Sequence, residues 1–291
     1  MKFYTYKEND KACEKIGVSY DGEMLYNIDL FGLSFKDMNE LICNITAEQM
    51  DNLKIKPDKN GILIKDVVCL ASIVHPMQDV LCLGINYHAH HKEAGKFNKE
   101  AFGDRAKPIY FSKRVNEANF DGGIIPLYKG LVDSLDYEAE LGVILSKDAF
   151  NVKKENVHEY IFGYTIINDV SARNLQTGHK QWYFGKSLDG YTPIGPCILT
   201  ADEVNYPPKL DIKCYVNDEL RQNSNTELLI TNIDEIISEL SQGMTLKKGT
   251  IIATGTPAGV GMGMNPPCFL KSGDKIVSEI EKIGTLTNIV E

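Results

Sequence analysis

The stretch "DSLDYEAELGVIL", residues 133–145, is an apolar strand by composition, with Glu138 and Glu140 set into it. Successive residues of a strand face opposite sides. Tyr137, Ala139, Leu141, Val143 and Leu145 then form one apolar face, and Glu138, Glu140, Gly142 and Ile144 the other. Two carboxylates so placed start from Cα atoms about 6–7 Å apart and can reach one ion between them. Side by side they repel, and their pKa values rise unless a cation neutralises them. A hard divalent ion bound through oxygen does that directly. The competing reading is a solvated outer face with both glutamates in water, and on strand geometry alone it is the better one.

Outward from this strand the signals are mainly β. "KPIYFSKRV", "YIFGYTIINDV", "GPCILTADEV", "LDIKCYVNDELRQ", "GTIIATGT" and "DKIVSEIEKIGTLTNIV" are strand-like, with breaks rich in Gly, Pro and Asp between them. Helices are expected around "YHAHHKEAG", "SARNLQTGH" and "NIDEIISELSQG", the last with Ile233, Ile236, Ile237 and Leu240 at helical spacing. The first part reads as a small α+β unit. "MKFYTY" and "IGVSYDGEMLYNI" are strands, the second folded at Asp21-Gly22. "SFKDMNELIC" and "TAEQMDNLK" are short helices opened by a Ser or a Thr. "QDVLCLGIN" is a buried strand, and a soft boundary falls near Pro76. The fold class is therefore α+β, mainly β, with a mixed or antiparallel core. Residues 1–77 form a small N-terminal unit and residues 78–291 the main one. The regular strand–helix alternation of a doubly wound fold is absent.

Composition sets limits on function. The 291 residues carry a net charge of −9, which argues against nucleic-acid binding. No charged-then-apolar leader and no membrane-length apolar run occur, so the expected compartment is the cytoplasm. Seven cysteines at wide spacings, without C-x-x-C, read as reduced and mostly buried thiols.

Several segments carry candidate chemistry. "YTIINDVSARNLQ" is an apolar strand ending at Asn168-Asp169, where Asp169 either projects into a cleft or caps the next helix. In "GINYHAHHKEAG", His90 and Glu93 are neighbours on one helical face, and a His held by a carboxylate is a competent general base. His88 and His90 also form an H-x-H pair of the kind that binds zinc in hydrolases; an exposed polar helix start is the plain alternative. Lys186, in a loop rich in Gly and Pro, either pairs with the acids, holds a substrate carboxylate or sits in solvent. "ATGTPAGVGMGMNPP" lacks the Gly-Lys-Ser/Thr ending of a phosphate loop. It reads as a tight loop bringing backbone amides and Thr256 near a ligand, or as a surface turn.

In order, "GINYHAHHKEAG", "YFSK", "DYEAELGVIL", "FGYTIINDVSARNLQ", "GKSLDGYTPIGPCI", "VNDELRQNSNTELLI" and "GTIIATGTPAGVG" resemble the fumarylacetoacetate hydrolase family over roughly residues 78–291. The resemblance implies a mixed β-roll catalytic domain, usually in a homodimer. It implies one divalent ion, Mg2+ or Mn2+ (with Ca2+ an alternative occupant), held by Glu138, Glu140 and Asp169. It places His90, Glu93 and Lys186 in catalysis, and Lys113, Arg173, Gln176 and Thr256 near the substrate. The implied substrate is a small 2-oxo acid, its enolate stabilised by the ion. Hydrolysis of a C–C bond in an acylpyruvate or fumarylacetoacetate-like substrate is the first expectation. Oxaloacetate decarboxylation or isomerisation of 2-hydroxyhepta-2,4-diene-1,7-dioate are alternatives at the same site. A non-catalytic oxo-acid-binding or purely dimeric protein is a further one. One departure stands out: "RVNEANFDGGIIPL" follows "YFSK", placing Arg114 and Asn116 where relatives carry small residues beside the substrate.

Overall fold

Aliphatic and aromatic runs bounded by Gly, Pro and Asp become strands through most of the computed structural model, which describes residues 1–9, 13–58, 60–97 and 107–291. The first segment supplies β1 (Lys2–Lys7), β2 (Lys15–Ser19), β3 (Met24–Asn27), helices α1 (Met38–Asn44) and α2 (Ala47–Leu53), then β4 (Ile62–Leu63) and β5 (Val68–Cys69). Next come β6 (Val80–Gly84), α3 (His88–Phe97), β7 (Ile109–Lys113), β8 (Ile124–Ile125), β9 (Leu135–Asp136) and β10 (Ala139–Leu145). β11 (Ile161–Asn168) and β12 (Ser171–Ala172) run into α4 (Arg173–Gly178) and α5 (Tyr183–Lys186). The rest is β13 (Ile194–Thr200), the hairpin β14 (Asp211–Val216) and β15 (Glu219–Asn225), α6 (Ile233–Ser241), β16 (Ile251–Ala253), β17 (Lys275–Ile280) and β18 (Gly284–Val290).

The mixed, mainly β architecture is as expected. The large sheet runs β4-β3-β2-β1-β13-β11-β10-β16-β6-β7, with β5 also on β1; a second runs β15-β14-β17-β18-β8, and β12 pairs with β9. Neighbours are antiparallel except β16 with β6 and β18 with β8. The strands of residues 1–77 join the large sheet: β1 pairs with β13, setting Phe3 opposite Ile198.

β10 lies deep in the large sheet, and every one of its residues is buried. Leu141, Val143 and Leu145 pack with Tyr164, Ile212, Ile276 and Leu286 in the core between the two large sheets. Ile144 packs on the opposite side with Phe3, Leu41, Ile42 and Phe162. The face that carries the glutamates is therefore not a solvated one. Gly142 belongs to it for a steric reason. A Cβ there would stand 2.8 Å from both Ile167 Cδ1 and Thr165 Cγ2 on β11.

Two local expectations change. α1 is capped by Asp37, which accepts from the Glu40 amide, and not by Ser34. The segment expected as a loop at Lys186 holds the single turn α5. The cysteines are unpaired, but only Cys82, Cys197 and Cys214 are buried, while Cys13 and Cys268 are exposed. Among the described residues no helix is long and apolar enough to cross a membrane.

Candidate metal centre

Antiparallel pairing of β10 with β11 puts Ala139 opposite Asn168, so the start of one strand meets the end of the other. The strand ends are tied further: the Asp169 amide donates to the Glu138 carbonyl at 2.8 Å, and the Glu138 amide donates to Asn168 Oδ1 at 3.0 Å. Carboxylate oxygens of Glu138, Glu140 and Asp169 all lie within 4.8 Å of one another. The three residues are 5%, 1% and 0% exposed, so none is a surface acid. Asp169 does not cap the following helix: Ala172 occupies the cap position of α4 and makes no side-chain cap bond.

Burying this much charge demands partners. Lys186 Nζ donates to Glu138 Oε2 and to Asp169 Oδ2, both at 2.6 Å. Arg173 Nη2 lies 2.7 Å from Glu138 Oε1 and 2.9 Å from Asp136 Oδ2. Burial by itself pushes the Glu138 carboxyl up, but Lys186 and Arg173 outweigh it and hold the group well below the usual range. Glu140 behaves oppositely. Burial and then the Asp169 and Glu138 charges push its carboxyl well above the usual value, although the Gly255 amide donates to Oε2 at 2.7 Å.

Four buried carboxylates (Asp136, Glu138, Glu140 and Asp169) thus face three buried cations, Lys113, Arg173 and Lys186. The negative excess sits at Glu140, beside two further carboxylates. This donor set, oxygen only and anionic, fits a hard divalent ion such as Mg2+ or Mn2+.

A small cavity opens onto the cluster, about 260 Å3 including its mouth, with Glu138, Glu140, His90, Lys186 and Arg173 on its polar side. Leu83, Phe111, Trp182 and Met262 form its apolar wall. Trp182 stacks edge-on against Phe111 and lies over Gly84, where a Cβ would fall 2.1 Å from the indole. His90 arrives on α3, 3% exposed, with Nδ1 3.1 Å from Glu93 Oε2. Donation from Nδ1–H to that carboxylate leaves Nε2 as the basic nitrogen. His88 is exposed, whereas His90 is buried. Two helix residues apart, they point in different directions, which removes the zinc pair as a shared ligand set.

The remaining expected residues divide. Gln176 and Thr256 line the cavity. Gln176 Oε1 accepts from Arg173 Nη1 at 3.0 Å, and Thr256 Oγ1 donates to the Ala139 carbonyl and accepts from Gln222 Nε2. Lys113, expected at the substrate, is instead fully buried. Its ammonium donates to Asp169 Oδ1 at 2.5 Å and to the Val170 and Tyr191 carbonyls at 3.2 and 2.8 Å. Its protons are spent inside the protein, orienting a candidate ligand. Arg114 pairs with Asp79, and Asn116 donates to Asp189, outside this cavity. Two participants escaped the sequence reading, Asp136 and Gln222. Asp136 sits in the same "DYEAE" run, and its place next to Tyr137 was the available signal.

Known proteins match this sequence and fold. The sequence model of the fumarylacetoacetate (FAA) hydrolase C-terminal family covers residues 79–291. The chain is 42% identical over 225 residues to oxaloacetate tautomerase YisK of Bacillus subtilis (strain 168), spanning 77% of this chain and 73% of that protein. Among solved structures it resembles fumarylacetoacetate hydrolase from psychrophilic Exiguobacterium antarcticum at 36% identity and TM-score 0.81, covering 100% of this chain and 99% of the other. It also resembles maleylpyruvate hydrolase from Sphingobium sp. SYK-6, solved with manganese(II) and pyruvate, at 28% identity and TM-score 0.78, covering 100% and 98%.

Proposed function

Because the chain belongs to the fumarylacetoacetate hydrolase family, we propose that it is a divalent-metal-dependent enzyme moving a proton at the carbon beside the keto group of a short 2-oxo dicarboxylate, with oxaloacetate keto–enol conversion as the reaction. The observation that carries this reading is the His90–Glu93 pair set at a small cavity beside three buried carboxylates. The similarity to an oxaloacetate tautomerase supports the substrate class. The cavity's polar side carries Lys186 and Arg173, two cations that suit an acidic substrate.

Glu138, Glu140 and Asp169 would hold the ion, which would supply Lewis-acid stabilisation of the negative charge of the enolate. The protein groups do the rest. Lys113 and Lys186 fix the two oxygens of Asp169, so this carboxylate cannot rotate. Arg173 and Lys186 set positive charge beside Glu138, and lower the cost of an anionic substrate entering. Glu93 holds the His90 ring through Nδ1. In the enol-to-keto direction His90 Nε2 takes the proton of the enol oxygen and, as the imidazolium, delivers it to the substrate carbon; in the reverse direction it takes a proton from that carbon and returns it to the oxygen. Phe111, Trp182 and Met262 keep bulk water from the reacting carbon.

Hydrolysis of an acylpyruvate is the second reading. It is favoured by the same His90–Glu93 pair acting on water and by the similarity to a maleylpyruvate hydrolase. One experiment separates them. Oxaloacetate, an acylpyruvate, fumarylacetoacetate and an unsaturated dioate are offered with Mn2+, after EDTA, and after Mn2+ is restored. Enol–keto conversion of oxaloacetate that is lost with EDTA and regained with Mn2+ supports the proposal. Turnover of the acylpyruvate alone sinks it in favour of hydrolysis.

A further inference from the structure

Asp136 is fully buried and takes part in none of the steps above. Its Oδ1 accepts from the amides of Tyr137 at 3.0 Å and Gly261 at 2.7 Å. Its Oδ2 accepts from the Met262 amide at 3.0 Å and from Arg173 Nε at 2.9 Å, with Arg173 Nη2 alongside at 2.9 Å. Both oxygens are thus divided between the glycine-rich loop and the guanidinium that pairs with Glu138.

The same loop carries α3. Glu93, which orients His90, accepts from the Gly259 amide through Oε1 at 3.0 Å and Oε2 at 3.2 Å. Gly259 has φ +108°, and a Cβ on Gly263 would fall 1.9 Å from the Glu93 side chain. The glycines leave the space that this carboxylate fills. Ala94 of α3 packs with Val260, Met262 and Ile85 in a small cluster of its own, separate from the main core. A continuous path therefore runs from His90 to Glu93, to the loop amides, to Asp136, to Arg173 and to Glu138.

We propose that Asp136 is a positioning residue that couples the seating of the His90 helix to the Arg173–Glu138 pair through the glycine-rich loop. A carboxylate suits the task because it has two oxygens and no proton, so it accepts from loop and guanidinium at once. If the loop amides leave Asp136, Glu93 loses its seat and His90 its orientation. If Arg173 turns from Asp136, the loop is released from the other end. The inference rests on the proposed function only in naming His90 as the proton carrier; the mechanical coupling stands without it.

The test uses Asp136→Asn, which keeps the shape but sets an NH2 group against Arg173 and one loop amide. Gly263→Ala disturbs the Glu93 seat from the far side. Amide hydrogen exchange is followed over α3, the 258–264 loop and β10–β11, with Mn2+ titration of each folded variant by calorimetry. The expected result for Asp136→Asn is exchange about tenfold faster in both the loop and α3, with β10–β11 unchanged. Tyr137, Gly261, Met262 and Arg173, the hydrogen-bond and ion-pair partners of Asp136, all lie outside α3, so a response in α3 has to travel through the loop. In both variants kcat should fall while Mn2+ affinity stays within a few-fold of the parent. Wild-type exchange in α3 of a folded Asp136→Asn protein overturns the coupling. So does loosening shared equally with β10–β11, which marks general destabilisation. A parent protein that binds no Mn2+ removes the metal reading but leaves the exchange comparison standing.

Discussion

Glu140 is the residue on which the metal reading turns. Glu138 has Lys186 and Arg173, and Asp169 has Lys113 and Lys186, whereas the charge excess remains with Glu140. Replacing it with Gln removes one anion and one ligand but preserves shape. The expected outcome is a folded protein whose Mn2+ affinity drops by more than the roughly 10–100-fold that losing a mere supporting group costs a metal site. Calorimetric titration measures it, and parental affinity in Glu140→Gln would mean the ion binds elsewhere. His90→Ala makes the complementary case. His90 lines the same cavity but stands outside the cluster of three carboxylates, so its loss should leave Mn2+ affinity near the parent value and lower kcat by about 10²–10⁴-fold. Steady-state kinetics alongside the titration checks both halves. At this scale the sequence was informative wherever a residue's type limits its role. Three acids and a His–Glu pair at helical spacing were legible. Lys113 was not, because sequence shows an ammonium but not which acceptors surround it, and burial against two carbonyls and Asp169 settled that. Asp136 was hidden by its neighbours: in a run of acids, spacing cannot tell a ligand from the group that holds a loop.

The strand β10 shows why an element can be legible while its environment is not. Alternation correctly separated the apolar face from the acidic one. A solvated acidic face was the better inference from that strand alone, since alternation usually marks one wet side. What overrode it is a second layer of packing on that face, where Ile144 meets Phe3, Leu41, Ile42 and Phe162, a long-range fact. Gly142 records the tightness of that packing. Gly142→Ala would push a methyl group against Ile167 and Thr165, both fully buried, at a cost of about 1–3 kcal/mol. Urea denaturation should show a lower midpoint with unchanged slope. An unaffected midpoint would mean β10 and β11 separate more easily than their packing implies. Helix ends followed the same logic. Thr46 caps α2, as expected, and it forms a capping box there, as Asn232 does before α6. At α1 the expected Ser34 does not cap; Asp37, three residues on, does, because its side chain reaches the Glu40 amide. The turn α5 escaped because four residues are too few to show a period, and its Gly185 hides it further.

For the molecule as a whole, the open question is whether residues 78–291 stand alone, as the sequence suggests and as the extent of the family match, residues 79–291, invites. The pairing argues for dependence. β1 covers the edge of β13, and the N-terminal amine itself reaches Thr200 Oγ1 at 3.1 Å and Glu203. The Ser72 amide donates to the Ile194 carbonyl, and Ser72 Oγ lies 3.2 Å from Thr165 Oγ1 on β11. Phe3 stacks against Phe162 with ring centroids 5.8 Å apart, and α1 covers Ile144 and Ile198 on the same face through Leu41 and Ile42. Deleting residues 1–77 would uncover that apolar face and leave β13 as an open edge, a template for association with other chains. The truncated chain is therefore expected to lose its cooperative thermal transition and to aggregate, although every candidate metal ligand is retained. Circular dichroism on heating, with size-exclusion chromatography, reads both effects. A monodisperse truncated chain that unfolds in one transition and binds Mn2+ as the parent does would make the N-terminal part an accessory. In that case the glutamates of β10 would owe their burial to residues 78–291 alone.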